Sequence, residues 1–174
     1  PNFAYSFMAN RLRDNALAGV DLSTMRAFVN CSEPMRADSH RQFAARFAPY
    51  GLSPAALTTC YAMAENTFAV TQGGIGGPVR ADVVSRAALS NEHRAVPAQD
   101  GELSQEMLSC GPAIPNCEVM IVDEARQPLP ERHIGEIAVR SDSMLTGYYR
   151  RDDLTAEALF DGWYLTGDYG YLAE

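Results

Sequence analysis

Residues Met25–Tyr61, MRAFVNCSEPMRADSHRQFAARFAPYGLSPAALTTCY, decide the fold. Met25–Cys31 is a short apolar run of the kind that forms a buried strand. Asp38–Ala48 follows with Phe43 and Phe47 one helical turn apart, and Pro49 and Gly51 stop that helix. Leu57–Tyr61 is again apolar and β-rich. Strand, helix and strand in this order predict a parallel α/β unit.

Upstream, residues 4–18 read as a helix, with Tyr5, Met8, Leu12 and Ala16 at three- and four-residue spacing and Gly19 placed as its C-terminal cap. Downstream the texture changes. Gly73, Gly74, Gly76, Gly77 and Pro78 form a flexible stretch, and the polar chain up to Ser109 shows little pattern. Glu118–Asp123 and Glu136–Arg140 then read as strands joined by a turn at Gln127–Pro130. A helix opened by Asp152 or Asp153 and closed near Asp161-Gly162 precedes a strand at Trp163–Leu165. The predicted fold class is therefore α/β. A partial parallel α/β part spans 1–109, with 73–109 as a long insertion. A small antiparallel β-barrel-like part spans 110–174.

The whole sequence has 174 residues, 47% of them hydrophobic and 21% charged, which excludes a disordered, collagen-like or coiled-coil chain. Net charge is −8, so a nucleic-acid partner or an anionic membrane surface is not expected. All 14 basic residues are arginine, so a catalytic lysine would have to come from elsewhere. The uncharged run Phe47–Ala64 is broken by Pro49, Gly51 and Pro54 and reads as loop plus strand, not a membrane span. No secretory leader is visible. The chain opens Pro1-Asn2 without methionine, which reads as processing or as a cut from something longer. Cys31, Cys60, Cys110 and Cys117 form no CxxC pair, and with the scattered His40, His93 and His133 they predict reduced, cytoplasmic thiols without a structural metal.

Three places offer chemistry. Tyr61-Ala62-Met63-Ala64-Glu65-Asn66 follows a predicted parallel strand, and the carboxyl ends of such strands are where open α/β sheets bind ligands. Glu65 there is either a Mg²⁺ ligand beside phosphates, with Tyr61 laying its ring on a purine, or a solvated strand end. Asn30-Cys31-Ser32-Glu33-Pro34 ends the preceding strand and either reads a base edge with its amides or caps the next helix. Gly162–Gly170 (GWYLTGDYG) runs a strand into a Thr-Gly-Asp-x-Gly turn. Asp168 is there either to grip two vicinal ribose hydroxyls or as ordinary hairpin chemistry. Gly73–Gly77 lacks a following Lys-Ser or Lys-Thr and is a hinge or loop, not a phosphate loop.

Together these stretches resemble the adenylate-forming, AMP-binding superfamily. Tyr61–Glu65 (YAMAE) is similar to its Y-G-x-[TA]-E motif. Gly135-Glu136-Ile137 with Gly147-Tyr148-Tyr149 resembles its G-E-[IL]…G-Y-x block, and Trp163–Gly170 its W-x-x-T-G-D-x-G motif. Pro1–Tyr5, Asn30–Pro34 and Cys60–Glu65 look most like the fatty-acyl-AMP ligases and their acyl-CoA synthetase relatives.

The resemblance implies that ATP and a fatty or other carboxylic acid give an acyl-adenylate and pyrophosphate, and that a carrier-protein thiol or coenzyme A then takes the acyl group. It implies that Tyr61 stacks on adenine and that Cys31, Ser32, Glu33 and Pro34 line the base. Ala62, Met63 and Ala64 complete the nucleotide-binding motif. Glu65 is the catalytic, Mg²⁺-holding residue, and Asp168 binds the ribose. The first helix and Phe3–Tyr5 fall near the acyl tunnel. In the ligases an insertion within the region 73–109 is associated with rejecting coenzyme A. Ala62 stands where the family has glycine. The family's phosphate loop and its lysine-bearing C-terminal domain have no counterpart here. The chain thus corresponds to the second half of the large N-terminal domain and, alone, is expected to be inactive. The competing expectation is a non-catalytic nucleotide-binding or interaction module that reuses this fold segment.

Overall fold

The computed structural model describes residues 1–173. Helix α1 (Asn2–Arg11) is followed by a short 3₁₀ turn (Asp14–Leu17), strand β1 (Phe28–Asn30), helix α2 (Ala37–Phe47) and strand β2 (Leu57–Ala62). β1 and β2 pair in parallel, with Phe28 opposite Leu57 and Asn30 opposite Thr59. The expected parallel α/β unit is therefore present. Phe43 and Phe47 lie on the buried face of α2 and pack with Tyr5, Leu17, Leu52, Ala56 and Leu57 into one cluster. Full burial of each large side chain contributes about 1.5–3 kcal/mol.

The first helix is shorter than the spacing of its apolar residues implied. Leu12 turns extended (φ −72°, ψ 123°). The Arg46 guanidinium donates to the Leu12 carbonyl at 3.0 Å and to the Asp14 carboxylate at 2.7 Å. A tertiary donor replaces the next helical turn, and local periodicity carries no sign of it.

Strand β3 (Ala69–Gly73) joins the parallel pair in the order β1-β2-β3. The region after it is not the patternless stretch expected. Strand β4 (Ala81–Ser85) and strand β5 (Ser104–Leu108) form a two-stranded sheet, with helix α3 (Arg86–Asn91) between them. Ser85 caps α3, its hydroxyl accepting from the Ala88 amide at 3.2 Å, and it also bonds the Glu102 carboxylate. Only part of the glycine stretch is free to hinge. A β-carbon on Gly73 would lie 2.3 Å from Thr59 Oγ1, and one on Gly74 2.8 Å from the Leu57 carbonyl, whereas Gly76 and Gly77 meet nothing within 4 Å. The first two glycines allow close packing.

Strands β6 (Cys117–Val122), β7 (Gly135–Ser141), β8 (Leu159–Phe160) and β9 (Trp163–Gly170) form an antiparallel sheet in the order β6-β7-β9-β8. This is the expected antiparallel, barrel-like part. Helix α4 (Asp152–Ala158) has Arg151 at its N-cap position with no side-chain capping bond, and Asp152 and Asp153, expected as caps, lie instead in its first turn, where their charge favours the positive helix end. It ends before Asp161-Gly162. Those two residues, at φ 47° and 80°, make the two-residue turn between β8 and β9. Asp-Gly suits that turn because both positions need positive φ.

The described residues sort into two compact units. The first comprises Pro1–Ala62, Thr71–Asp82 and Glu106–Pro112; the second comprises Met63–Val70, Val83–Gln105 and the chain from Ala113 onward. The sequence reading drew a single boundary between 109 and 110.

Candidate functional site

In the first unit, the Cys31–Pro34 loop follows β1 and Tyr61-Ala62 close β2, at the same, carboxyl, end of neighbouring parallel strands. The loop is pinned on both sides by one buried side chain. Asn2 Oδ1 accepts from Asn30 Nδ2 at 3.3 Å, at the end of β1, and from the Arg36 amide at 3.0 Å, before α2. Asn30, itself fully buried, also meets His40 Nε2 at 3.1 Å. With Asn30 Nδ2 as the donor, this ring nitrogen is an acceptor, so His40 is neutral in the bond. Burial lowers its pKa, in the same direction, and its ring stacks on Tyr5 at 5.0 Å. Within the loop, Ser32 takes a left-handed φ of 69°. A non-glycine residue there stores about 1–3 kcal/mol and needs fixed ends to persist.

Ala62 does not take a positive φ, so alanine where the motif it resembles has glycine brings no left-handed strain. The Tyr61 amide donates to Thr71 Oγ1 at 3.4 Å, and that hydroxyl donates to the Cys110 carbonyl at 2.8 Å. Burial pushes the Cys60 thiol up to about 11 and raises Cys110 as well, which keeps both thiols protonated and poor nucleophiles.

In the second unit, Met63, Ala64, Glu65, Asn66 and Thr67 make a tight loop. Thr67 sits at φ 64°, ψ −48°, and the Phe68 amide donates to the Asn66 carbonyl at 2.6 Å. This is a γ-turn of the left-handed kind, which is rare and strained. A β-branched residue is an outlier at that φ. Distant residues hold it. Asn66 is buried; its Nδ2 donates to the Ala69 carbonyl at 2.7 Å, and its Oδ1 accepts from the Ser141 hydroxyl. The Glu65 carbonyl accepts from the Leu145 amide at 2.7 Å, and the Thr67 hydroxyl donates to the Ser143 carbonyl at 3.3 Å. The half-buried Glu65 carboxylate receives the Tyr148 hydroxyl at 3.5 Å, and Tyr148 in turn meets the Tyr164 hydroxyl at 2.9 Å.

Asp168 lies on β9, exposed, but not in a turn that ends the strand. Glu136 pairs with Tyr169 and Ala138 with Leu165, so Thr166, Gly167 and Asp168 all stand opposite Ile137. The motif is a β-bulge, a device that re-aims a side chain without ending the ladder. Gly167 takes φ 75°, and a β-carbon there would meet nothing within 4 Å.

The donor set suits one hard cation only in part. Among the described residues no group of three or more His, Cys, Asp or Glu side chains could hold a metal ion. A lone, half-exposed carboxylate such as Glu65 fits Mg²⁺, which keeps several waters and shares itself with substrate phosphates.

Sequence reasoning missed Asn2, Asn30 and His40 as loop supports, and Asn66, Ser141 and Tyr164 around Glu65. Tyr148 was visible only as part of the Gly147-Tyr148-Tyr149 block.

Comparison with known proteins follows the same outline. A family profile described as "AMP-binding enzyme" matches residues 1–149. The long-chain-fatty-acid–AMP ligase FadD26 of Mycobacterium tuberculosis is 29% identical over 187 residues, covering 100% of this chain and 32% of that protein. The medium-chain-fatty-acid–[acyl-carrier-protein] ligase JamA of Moorena producens is 33% identical over 186 residues, covering 100% of this chain and 31% of the relative. The solved fatty acyl-adenylate ligase from L. pneumophila, in complex with acyl adenylate and pyrophosphate, superposes with a TM-score of 0.92 at 32% identity, over 100% of this chain and 32% of that one. The chain therefore spans about a third of the length of the curated relatives it matches.

Proposed function

The chain belongs to the AMP-binding enzyme family, and from that premise we propose that it is a segment of an ATP-dependent, AMP-forming ligase that activates a fatty acid as its acyl-adenylate. The acid's carboxylate oxygen attacks the α-phosphorus and pyrophosphate leaves. A carrier-protein thiol then attacks the acyl carbon, loses its proton and releases AMP. The names of FadD26 and JamA support the fatty-acid substrate, and that of JamA supports a carrier protein over coenzyme A as acceptor.

The observation that carries this reading is the Glu65 loop. A strained turn, held by a buried asparagine, the Leu145 amide and the Ser143 carbonyl, fixes one carboxylate three residues after β2 in the chain. Such strain persists where the surroundings over-determine a functional geometry. In the proposal Glu65 is the Mg²⁺ ligand, and the ion, when bound, spreads charge away from the triphosphate. Tyr61 stacks on adenine and Cys31, Ser32, Glu33 and Pro34 line its edge. Ala62, Met63 and Ala64 border the nucleotide, and Asp168 accepts from the ribose hydroxyls.

The working division of the ligase remains an α/β part over 1–109 and a barrel-like part over 110–174. The parallel pair lies in the former and the four-stranded antiparallel sheet in the latter. We place the enzyme in the cytoplasm, in keeping with four free cysteines. No helix among the described residues is long and apolar enough to cross a membrane. The 73–109 region is proposed to disfavour coenzyme A by meeting a mobile domain. Of the apolar residues there, Val84 and Ala88 are buried and Leu89 is half-buried, so Val83 and Ala87 are the exposed ones that could make that contact.

The test is ATP–pyrophosphate exchange by the full-length ligase across fatty acids of increasing length. Acyl transfer is then measured to a phosphopantetheinylated carrier protein and to coenzyme A. Acid-dependent exchange with transfer to the carrier is expected, and none from the 174-residue chain alone. Absence of exchange in the full-length protein would leave a nucleotide-binding module.

A further inference from the structure

The bulge that carries Asp168 has backbone groups to satisfy. Three residues, Thr166 to Asp168, face the single Ile137, so β7 cannot pair them all. Side chains take over. The Gly167 amide donates to Glu136 Oε1 at 2.9 Å. The Thr166 hydroxyl donates to the Ile137 carbonyl at 2.9 Å and accepts from the Asp168 amide at 3.1 Å. The two amides that set the path of the bulge thus depend on two side chains, and one of these is a carboxylate. A backbone amide bonded to an ionised carboxylate is held about twice as strongly as one bonded to a neutral acceptor.

Glu136 is itself well fixed. It pairs with Tyr169 in the ladder and with Val122 on the other side. Gly135, just before it, admits no side chain, because a β-carbon would lie 2.3 Å from the Val122 carbonyl. The strand that presents Glu136 is therefore packed hard against β6, and its carboxylate acts on the bulge from a rigid base.

We propose that Glu136 is a positioning residue: its carboxylate, by holding the Gly167 amide, keeps the bulge in the form that presents Asp168 to the nucleotide ribose. The proposal rests on the reading of Asp168 given above. Glu136 acts through Asp168 and touches no substrate.

The test uses the full-length ligase and measures kcat and KM for ATP, 2′-deoxy-ATP and 3′-deoxy-ATP in pyrophosphate exchange, with thermal midpoints recorded for each variant. Loss of one charge-assisted bond raises the ATP KM of Glu136→Ala about 10-fold. Its kcat stays within about twofold and its preference for ATP over the deoxy analogues weakens. Glu136→Gln keeps a neutral acceptor and shifts KM by only about 2–3-fold; it also serves as the readout if the alanine variant folds poorly. In an Asp168→Ala background, Glu136→Ala adds less than about twofold, because its route of action is gone.

A wild-type KM and wild-type ribose preference in Glu136→Ala would overturn the proposal. So would a full effect persisting in the Asp168→Ala background, which would make Glu136 a general support of the sheet. A different result exposes failure of the underlying reading: Asp168→Ala that still discriminates against the deoxy nucleotides removes the ribose role itself, and the proposal with it.

Discussion

Two loops of the second unit lift a carboxylate off the sheet, and they do so by opposite means. The Glu65 loop contains no glycine. Its sharpest turn falls on Thr67, and its buried anchor, Asn66, reaches Ser141 and Ala69. The Asp168 bulge puts glycine at its left-handed position, stays exposed, and is propped by Thr166 within it and Glu136 across the ladder. One carboxylate is positioned by force against intrinsic preference, the other by residues already suited to their conformation. In the proposed roles, the carboxylate meant for a metal ion and phosphates gains from rigidity, and the one meant for neutral hydroxyls tolerates a surface ribbon.

The largest expected effect separates the two in kinetics. In the full-length ligase, Glu65→Gln should lower kcat for pyrophosphate exchange about 100–1000-fold, as expected for a group that stabilises charge on the transferring phosphate. Asp168→Ala should act mainly on the ATP KM. It removes two charge-assisted bonds, each worth about 1.5–3 kcal/mol, and leaves no cavity. If both variants move the same parameter, the contrast between the loops has no functional content.

A smaller effect concerns stability. Asn66→Ala removes a buried side chain, leaves its half-buried partners at Ala69 and Ser141 unbonded, and should cost about 2 kcal/mol in urea unfolding. Thr166→Ala breaks two bonds near water and should cost about 1 kcal/mol. Equal losses would mean that the two loops are equally anchored.

The smallest effect has a sign as its readout. Thr67→Gly releases left-handed strain of about 1–2 kcal/mol, offset by lost chain entropy and the Ser143 bond. The net should lie between no change and a gain of about 1 kcal/mol. Gly167→Ala adds that strain with free space around the new methyl, and should cost about 1 kcal/mol. Thermal midpoints moving in the same direction would undo the comparison.

The same contrast explains what the sequence disclosed. Gly167 and Asp168 announce themselves because their chemistry is local: glycine for positive φ, a carboxylate beside it. Helix α2 is equally legible, since the spacing of Phe43 and Phe47 matches its buried face, and strands β2, β6 and β7 read from their apolar runs. The supports of Glu65 are not. Asn66, Ser141 and Tyr164 are ordinary polar residues whose roles arise only when residues 66 and 141 meet. The shortened first helix has the same origin, because Arg46 captures the Leu12 carbonyl from another element. The 73–109 region hid its strands because β4 and β5 are only five residues each and mix polar with apolar residues without a clear alternation, with Val84 the fully buried anchor.

The interleaving of the two compact units has a consequence for synthesis. During translation the first unit lacks its last stretch until Pro112 has emerged, and by then the second holds only two short pieces, Met63–Val70 and Val83–Gln105. At that point the first unit is complete and the second still lacks Ala113 onward, so nascent chains near this length should expose unpaired strand edges to chaperones. The long sequence separation of the closing contacts predicts slow folding for its size. Evolution is constrained likewise. A recombination breakpoint between residues 62 and 112 takes pieces of both units, so this stretch should be exchanged between genes as a block.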